Sequence, residues 1–101
     1  MAGYAHIWEF EVEPASIDEF ERHYGPQGSW ASLFRRSPGY VETLLLRDEK
    51  DPLRYRTVDR WRSAEDYRAF RAGLGRAYAE LDERCAALTT RETDLGGHVE
   101  R

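Results

Sequence analysis

The chain has little of what most disulfide, metal and nucleic-acid proteins depend on. Its 101 residues include one cysteine, Cys85, which excludes an internal disulfide. Cys85 also falls in phase with the apolar face of a predicted helix, the setting of a buried core thiol rather than a nucleophile. Three histidines are scattered at positions 6, 23 and 98, with no cysteine or carboxylate at ligand spacing, so no metal site is expected. A formal net charge of −4 gives no basis for a nucleic-acid partner. No window reaches the apolar length of a membrane span, and the first residues lack a basic-then-apolar signal pattern. A soluble, cytoplasmic protein is the expectation. No glycine-rich loop joins a strand to a helix in a form that cradles phosphate, so no nucleotide cofactor is expected either. The length suits one core, and a single domain over residues 1–101 is predicted.

Aromatic residues, by contrast, are plentiful: three Trp, six Tyr and four Phe. Such side chains dominate cores, pockets and subunit contacts alike. In Tyr4–Glu13, Trp8, Phe10 and Val12 alternate with Glu9, Glu11 and Glu13, the period of a strand. Tyr4 and His6 share the apolar side, while Ala5 and Ile7 make the opposite side apolar too, which suits an inner strand. Ser16-Ile17-Asp18-Glu19 reads as a capping box, and Ser29 as the cap of a second short helix. Tyr40–Leu46 and Tyr55–Trp61 flank a charged connection containing Asp51-Pro52, the pattern of a β-hairpin with a long solvated loop. Ser63 opens the longest helical signal, interrupted at Gly73-Leu74-Gly75, where two glycines argue for a kink or break. Thr89–Val99 reads as a polar strand with a bulge or end at Gly96-Gly97.

The order β-α(α)-β-β-α-β is the split βαβ, ferredoxin-like α+β arrangement. It predicts a four-stranded antiparallel sheet with helices on one face. The face without helices carries Ala5, Ile7, Leu44 and Val58, and a second copy of the chain is its simplest cover.

The runs HIWEFEVEP, SPGYVETLLLRD and DPLRYRTVDRWRSAEDYRAF resemble the antibiotic biosynthesis monooxygenase family of the dimeric α+β barrel superfamily. The resemblance implies a homodimer whose two sheets close a barrel, with a ligand cleft between each sheet and its own helices. It further implies cofactor-independent oxygenation of a polycyclic phenol, anthrone or quinol in secondary metabolism. A non-oxidative cyclase or isomerase, or a non-catalytic dimer that binds a small molecule, are the alternatives. Haem-degrading members use an Asn on the first strand and a His on the helix after the third. Here Trp8 stands at the Asn position, asparagine is absent from the chain, and residues 64–88 hold no histidine. Haem degradation is therefore disfavoured, and no cofactor is expected.

Trp61 matches a family position that lines the cleft. If it faces inward, parity brings Tyr55, Thr57 and Asp59 with it, and Tyr4, His6 and Trp8 from the first strand. Tyr24, Trp30 and Phe34 would close the cleft from the helices around an apolar aromatic ligand. His6, Asp59 and Trp61 are the candidate catalytic residues. A neutral His6 near a phenolic Tyr and Asp59 could take a proton from a phenol or anthrone. The alternative is that His6 is a satisfied core or interface histidine.

Overall fold

Alternation of aromatic and charged residues gives each strand a dry face and a wet one. In the computed structural model, which describes residues 3–101, β1 (Tyr4–Val12) buries Tyr4, His6, Phe10 and Val12 on one side. β2 (Tyr40–Arg47) and β3 (Arg54–Trp61) form the predicted hairpin, and β4 (Thr89–Val99) completes an antiparallel sheet of order β2-β3-β1-β4. β1 is thus an inner strand, as its two apolar sides require. Four helices, α1 (Ile17–Tyr24), α2 (Ser29–Phe34), α3 (Ala64–Gly73) and α4 (Gly75–Cys85), cover the face that buries Phe10, Tyr55 and Trp61. This is the ferredoxin-like α+β fold. Cys85 is buried, and α3 and α4 meet at the predicted glycine break.

The two caps read at Ser16 and Ser29 are not formed as expected. Ser16 does not cap α1, because Pro14 first starts a 3-10 turn in which the Ser16 N–H donates to the Glu13 carbonyl at 2.8 Å. Ser29 is not a cap but the first residue of α2, which the chain enters through extended Gly28. A Cβ at Gly28 would lie 2.4 Å from the His23 carbonyl oxygen, so only glycine fits there. Ser29 Oγ instead hydrogen-bonds His23 Nδ1 at 2.7 Å and fastens the corner between α1 and α2. Ser63 does cap α3, accepting from the Asp66 N–H at 3.1 Å.

Two irregularities reset which residues face the helices. Between Tyr40 and Glu42 the β2–β3 register slips by one, so Tyr40 and Thr43 fall on the same side and their hydroxyls meet at 2.7 Å. In β4 the register slips between Asp94 and Gly96, and Gly96 takes a positive φ of 82° that favours glycine. Asp94 and Gly97 consequently oppose Trp8 and His6, two neighbours on the same side of β1.

The opposite sheet face has no helix. Leu44, Val58 and Ile7 stand in one row across β2, β3 and β1. Ion pairs border that row: Arg60 with Glu42 and Glu100 at 2.5 and 2.6 Å on one side, Arg54 and Arg56 with Glu9 at 3.6 and 3.8 Å on the other. Among the described residues no helix is long and apolar enough to cross a membrane.

Candidate functional site

A cleft opens between the sheet and the helices where α2 and α4 diverge from β1 and β3. It holds about 420 Å³ of non-atom space counting its open mouth, of which about 40 Å³ admits the centre of a water-sized sphere. Trp8 and Phe10 of β1, Thr57 and Asp59 of β3 and Thr43 of β2 form the floor. Tyr24 and Trp30 with Phe34 form one wall; Tyr78 and Asp82 of α4 and Glu92 of β4 form the other side. Six aromatic side chains and five polar ones, two threonines and three carboxylates, thus line it; an apolar surface with placed polar groups is the make-up of a small-molecule site.

Asp59 is the chemically distinctive group on this floor. It is only 8% exposed, and its Oδ1 accepts a hydrogen bond from Thr43 Oγ1 at 2.9 Å. Its other carboxylate oxygen has no hydrogen-bond partner among the described residues. Burial, which penalises the charged form, pushes the Asp59 pKa up to about 7, against the smaller opposing effect of the Thr43 hydrogen bond. The Tyr40 hydroxyl closes the chain Tyr40–Thr43–Asp59. At the mouth, burial and then the charge of Asp82 raise the Glu92 pKa. Burial likewise raises the Tyr24 and Tyr78 hydroxyls far above the usual phenol range, so both stay neutral.

Of the candidates from the sequence, Trp8, Tyr24, Trp30, Phe34 and Asp59 come together in the lining of this cleft. His6, Tyr4, Trp61 and Tyr55 lie on the same side of the sheet but outside that lining. His6 is the direct cross-strand partner of Asp59, yet both its ring nitrogens are engaged elsewhere. Nε2 donates to Asp94 Oδ1 at 2.8 Å, which leaves Nδ1 to accept from the Tyr4 hydroxyl at 3.2 Å. The imidazole also stacks on Tyr67, with ring centroids 4.8 Å apart. These contacts are those of the alternative reading, a satisfied buried histidine. Trp61 is packed beneath the cleft among Phe34, Tyr40, Tyr67 and Phe70, with its indole N–H unpartnered. Tyr55 packs on Phe20, and its hydroxyl donates to Glu21 of α1.

Thr43, Asp82 and Glu92 were not legible as site residues. Thr43 reaches the floor only because of the β2 bulge, and the two acids sit in a charged helix and a polar strand where nothing separates them from solvated neighbours. Among the described residues no group of three or more His, Cys, Asp or Glu is placed to hold a metal ion.

Comparison with known proteins agrees with this architecture. SnoaB, a cofactor-independent oxygenase from Streptomyces nogalater, superposes in a substituted form with a TM-score of 0.74 at 23% identity, covering 98% of this chain and 91% of its own. A candidate antibiotic biosynthesis monooxygenase from Bordetella bronchiseptica superposes with a TM-score of 0.76 at 20% identity, covering 100% and 97%. A third, from Nitrosomonas europaea, gives 0.69 at 16% identity, covering 96% and 86%. At these identities the likeness is one of fold. No curated protein matches the chain. The family model for antibiotic biosynthesis monooxygenases, however, matches residues 3–75, from the first strand through α3. This protein belongs to the antibiotic biosynthesis monooxygenase family.

Proposed function

We propose that this protein is a cofactor-independent monooxygenase acting on a polycyclic phenol, anthrone or quinol-like ring of secondary metabolism, with Asp59 as its general base. The observation that carries this reading is a buried carboxyl group on the floor of an aromatic-walled cleft, where burial raises its pKa to about 7. A base poised near the working pH is the kind that assists proton transfer best. The flat faces of Trp8 on the floor and of Trp30 and Phe34 on the wall suit a fused ring. The unpartnered Asp59 oxygen would accept the substrate's O–H, and the carboxylate would take its proton. The resulting anion gives electrons to dioxygen and forms a carbon–oxygen bond, leaving a peroxide that Asp59 reprotonates. Loss of the remaining C–H proton with cleavage of the O–O bond then gives a ketone and water. One oxygen atom enters the product and the other leaves as water. The similar fold of SnoaB, described as a cofactor-independent oxygenase, supports the same reading.

His6 and Trp61 enter as positioning groups. His6 stands across from Asp59 and holds Asp94 and Tyr4, while Trp61 supports Phe34 from below. A homodimer belongs to the same reading. The row Leu44–Val58–Ile7 is an apolar strip bordered by charges, and Leu44 and Leu46 are 40% and 51% exposed in a single chain. A second sheet laid on this face would bury the strip.

The test is oxygen uptake with 1,8-dihydroxyanthrone, corrected for its autoxidation. One O₂ consumed per ketone formed, with a large loss in Asp59→Asn, is the expected result. Product without oxygen uptake would instead mark a cyclase or isomerase that uses the same base.

A further inference from the structure

The cleft is one-sided in charge. Three carboxylates line it, Asp59 on the floor and Asp82 and Glu92 at the mouth, while no Arg, Lys or His does, in a chain with 15 Lys and Arg. The two mouth acids arise from different elements, α4 and β4, and the charge of Asp82 adds to burial in raising the Glu92 pKa. The rings of Tyr24, Trp30 and Tyr78 line the same cleft, and aromatic faces attract cations. Tyr78 already takes one: the Arg71 guanidinium lies 4.1 Å over its ring without lining the cleft, one positive charge against three acids. Inside, one oxygen of the buried Asp59 accepts from Thr43, and the other, which takes no hydrogen bond from the described residues, is free to accept one from a ligand. Asp82, Glu92 and Tyr78 all lie beyond residue 75, where the match to the family model ends.

We propose that the ligand of this cleft is a fused aromatic ring bearing a basic amine, its ammonium held between Asp82 and Glu92 while its ring lies over Asp59. This rests on the reading of the cleft as the substrate site and adds the substrate's charge class. An anionic ring of the same shape is rejected by the same carboxylates.

Three anthracenes of matched shape test this by quenching of the cleft tryptophans in the intact protein: 9-(aminomethyl)anthracene, 9-anthracenemethanol and 9-anthracenecarboxylate. The ammonium probe is expected to bind at least about threefold more tightly than the alcohol, as exposed ion pairs and cation–π contacts allow. The carboxylate should bind more weakly than the alcohol. The double variant Asp82→Asn, Glu92→Gln should bring the ammonium probe to the alcohol's affinity. The double variant Glu49→Gln, Glu83→Gln, which removes as much charge away from the cleft, should keep the preference. Salt at about 0.5 M should shrink it, because screening acts on partly exposed pairs. Equal affinity for the ammonium and alcohol probes, or a preference that survives loss of both mouth acids, overturns the charge class while leaving the cleft as a binding site. Failure of all three probes to bind overturns both readings.

Discussion

Replacing Asp59 by Asn should make the protein more stable and less active at once. A carboxyl whose pKa rises from 3.8 to about 7 on folding destabilises the native state by up to about 4 kcal/mol once ionised. The direction follows from which state holds the proton. Because the folded pKa is the higher one, the full stability is present below about pH 4 and is lost as pH rises through about 7. Asn keeps the shape and can still accept from Thr43 Oγ1, but it carries no charge to desolvate. Urea melts at pH 3.5 and pH 8.5 should therefore give nearly equal stabilities for wild type and variant at the lower pH. At the higher pH the variant should lead by about 1–4 kcal/mol. Turnover of the anthrone should fall in the same variant by about 10²- to 10⁴-fold. Wild-type kcat/KM should rise with pH and level off above about 7, as the base loses its proton. His6→Gln should cost much less activity. A variant that is no more stable at pH 8.5, or that turns over at the wild-type rate, would refute the assignment of Asp59 as a strained base.

Val58→Asp, in the centre of the apolar strip, should give a monomer by sedimentation with the fold intact by circular dichroism. Ser63→Ala should lower stability by about 1 kcal/mol through loss of the α3 cap, whereas Ser16→Ala, whose hydroxyl caps nothing, should be nearly neutral in the same melts. Gly97→Ala should destabilise by about 1–3 kcal/mol, since its Cβ would stand 2.2 Å from the Tyr4 hydroxyl and force that ring off His6.

The sheet, the inner place of β1 and the faces of β1 and β3 were legible because alternation over eight or nine residues has one simple burial solution. That same parity placed Trp8 and Asp59 correctly on the helix side. It could not say which of the side chains on that face reach an open cleft. Tyr4, His6, Tyr55 and Trp61 share the face with Trp8 and Asp59, but α1 and α3 close over them, while the floor beneath the packed pair Trp30 and Tyr78 of α2 and α4 stays open. Parity also fails at bulges, and so Thr43 was missed. The hydroxyl of Ser16 matched a capping pattern that Pro14 had already pre-empted by starting a turn.

The glycine break between α3 and α4 separates the cleft into two inheritances. Floor and aromatic wall come from the segment that matches the family model, whereas Tyr78, Asp82 and Glu92 come from the segment after it. A Cβ at Gly73 or Gly75 would meet nothing within 4 Å, so packing does not demand glycine at either place. Alanines there should therefore stiffen the junction and add about 0.4–1 kcal/mol each. On the proposed reading, substitutions on α4 would retune which guests are admitted without touching the carboxyl that moves the proton, so that selectivity and reactivity would diverge on separate stretches of one short chain.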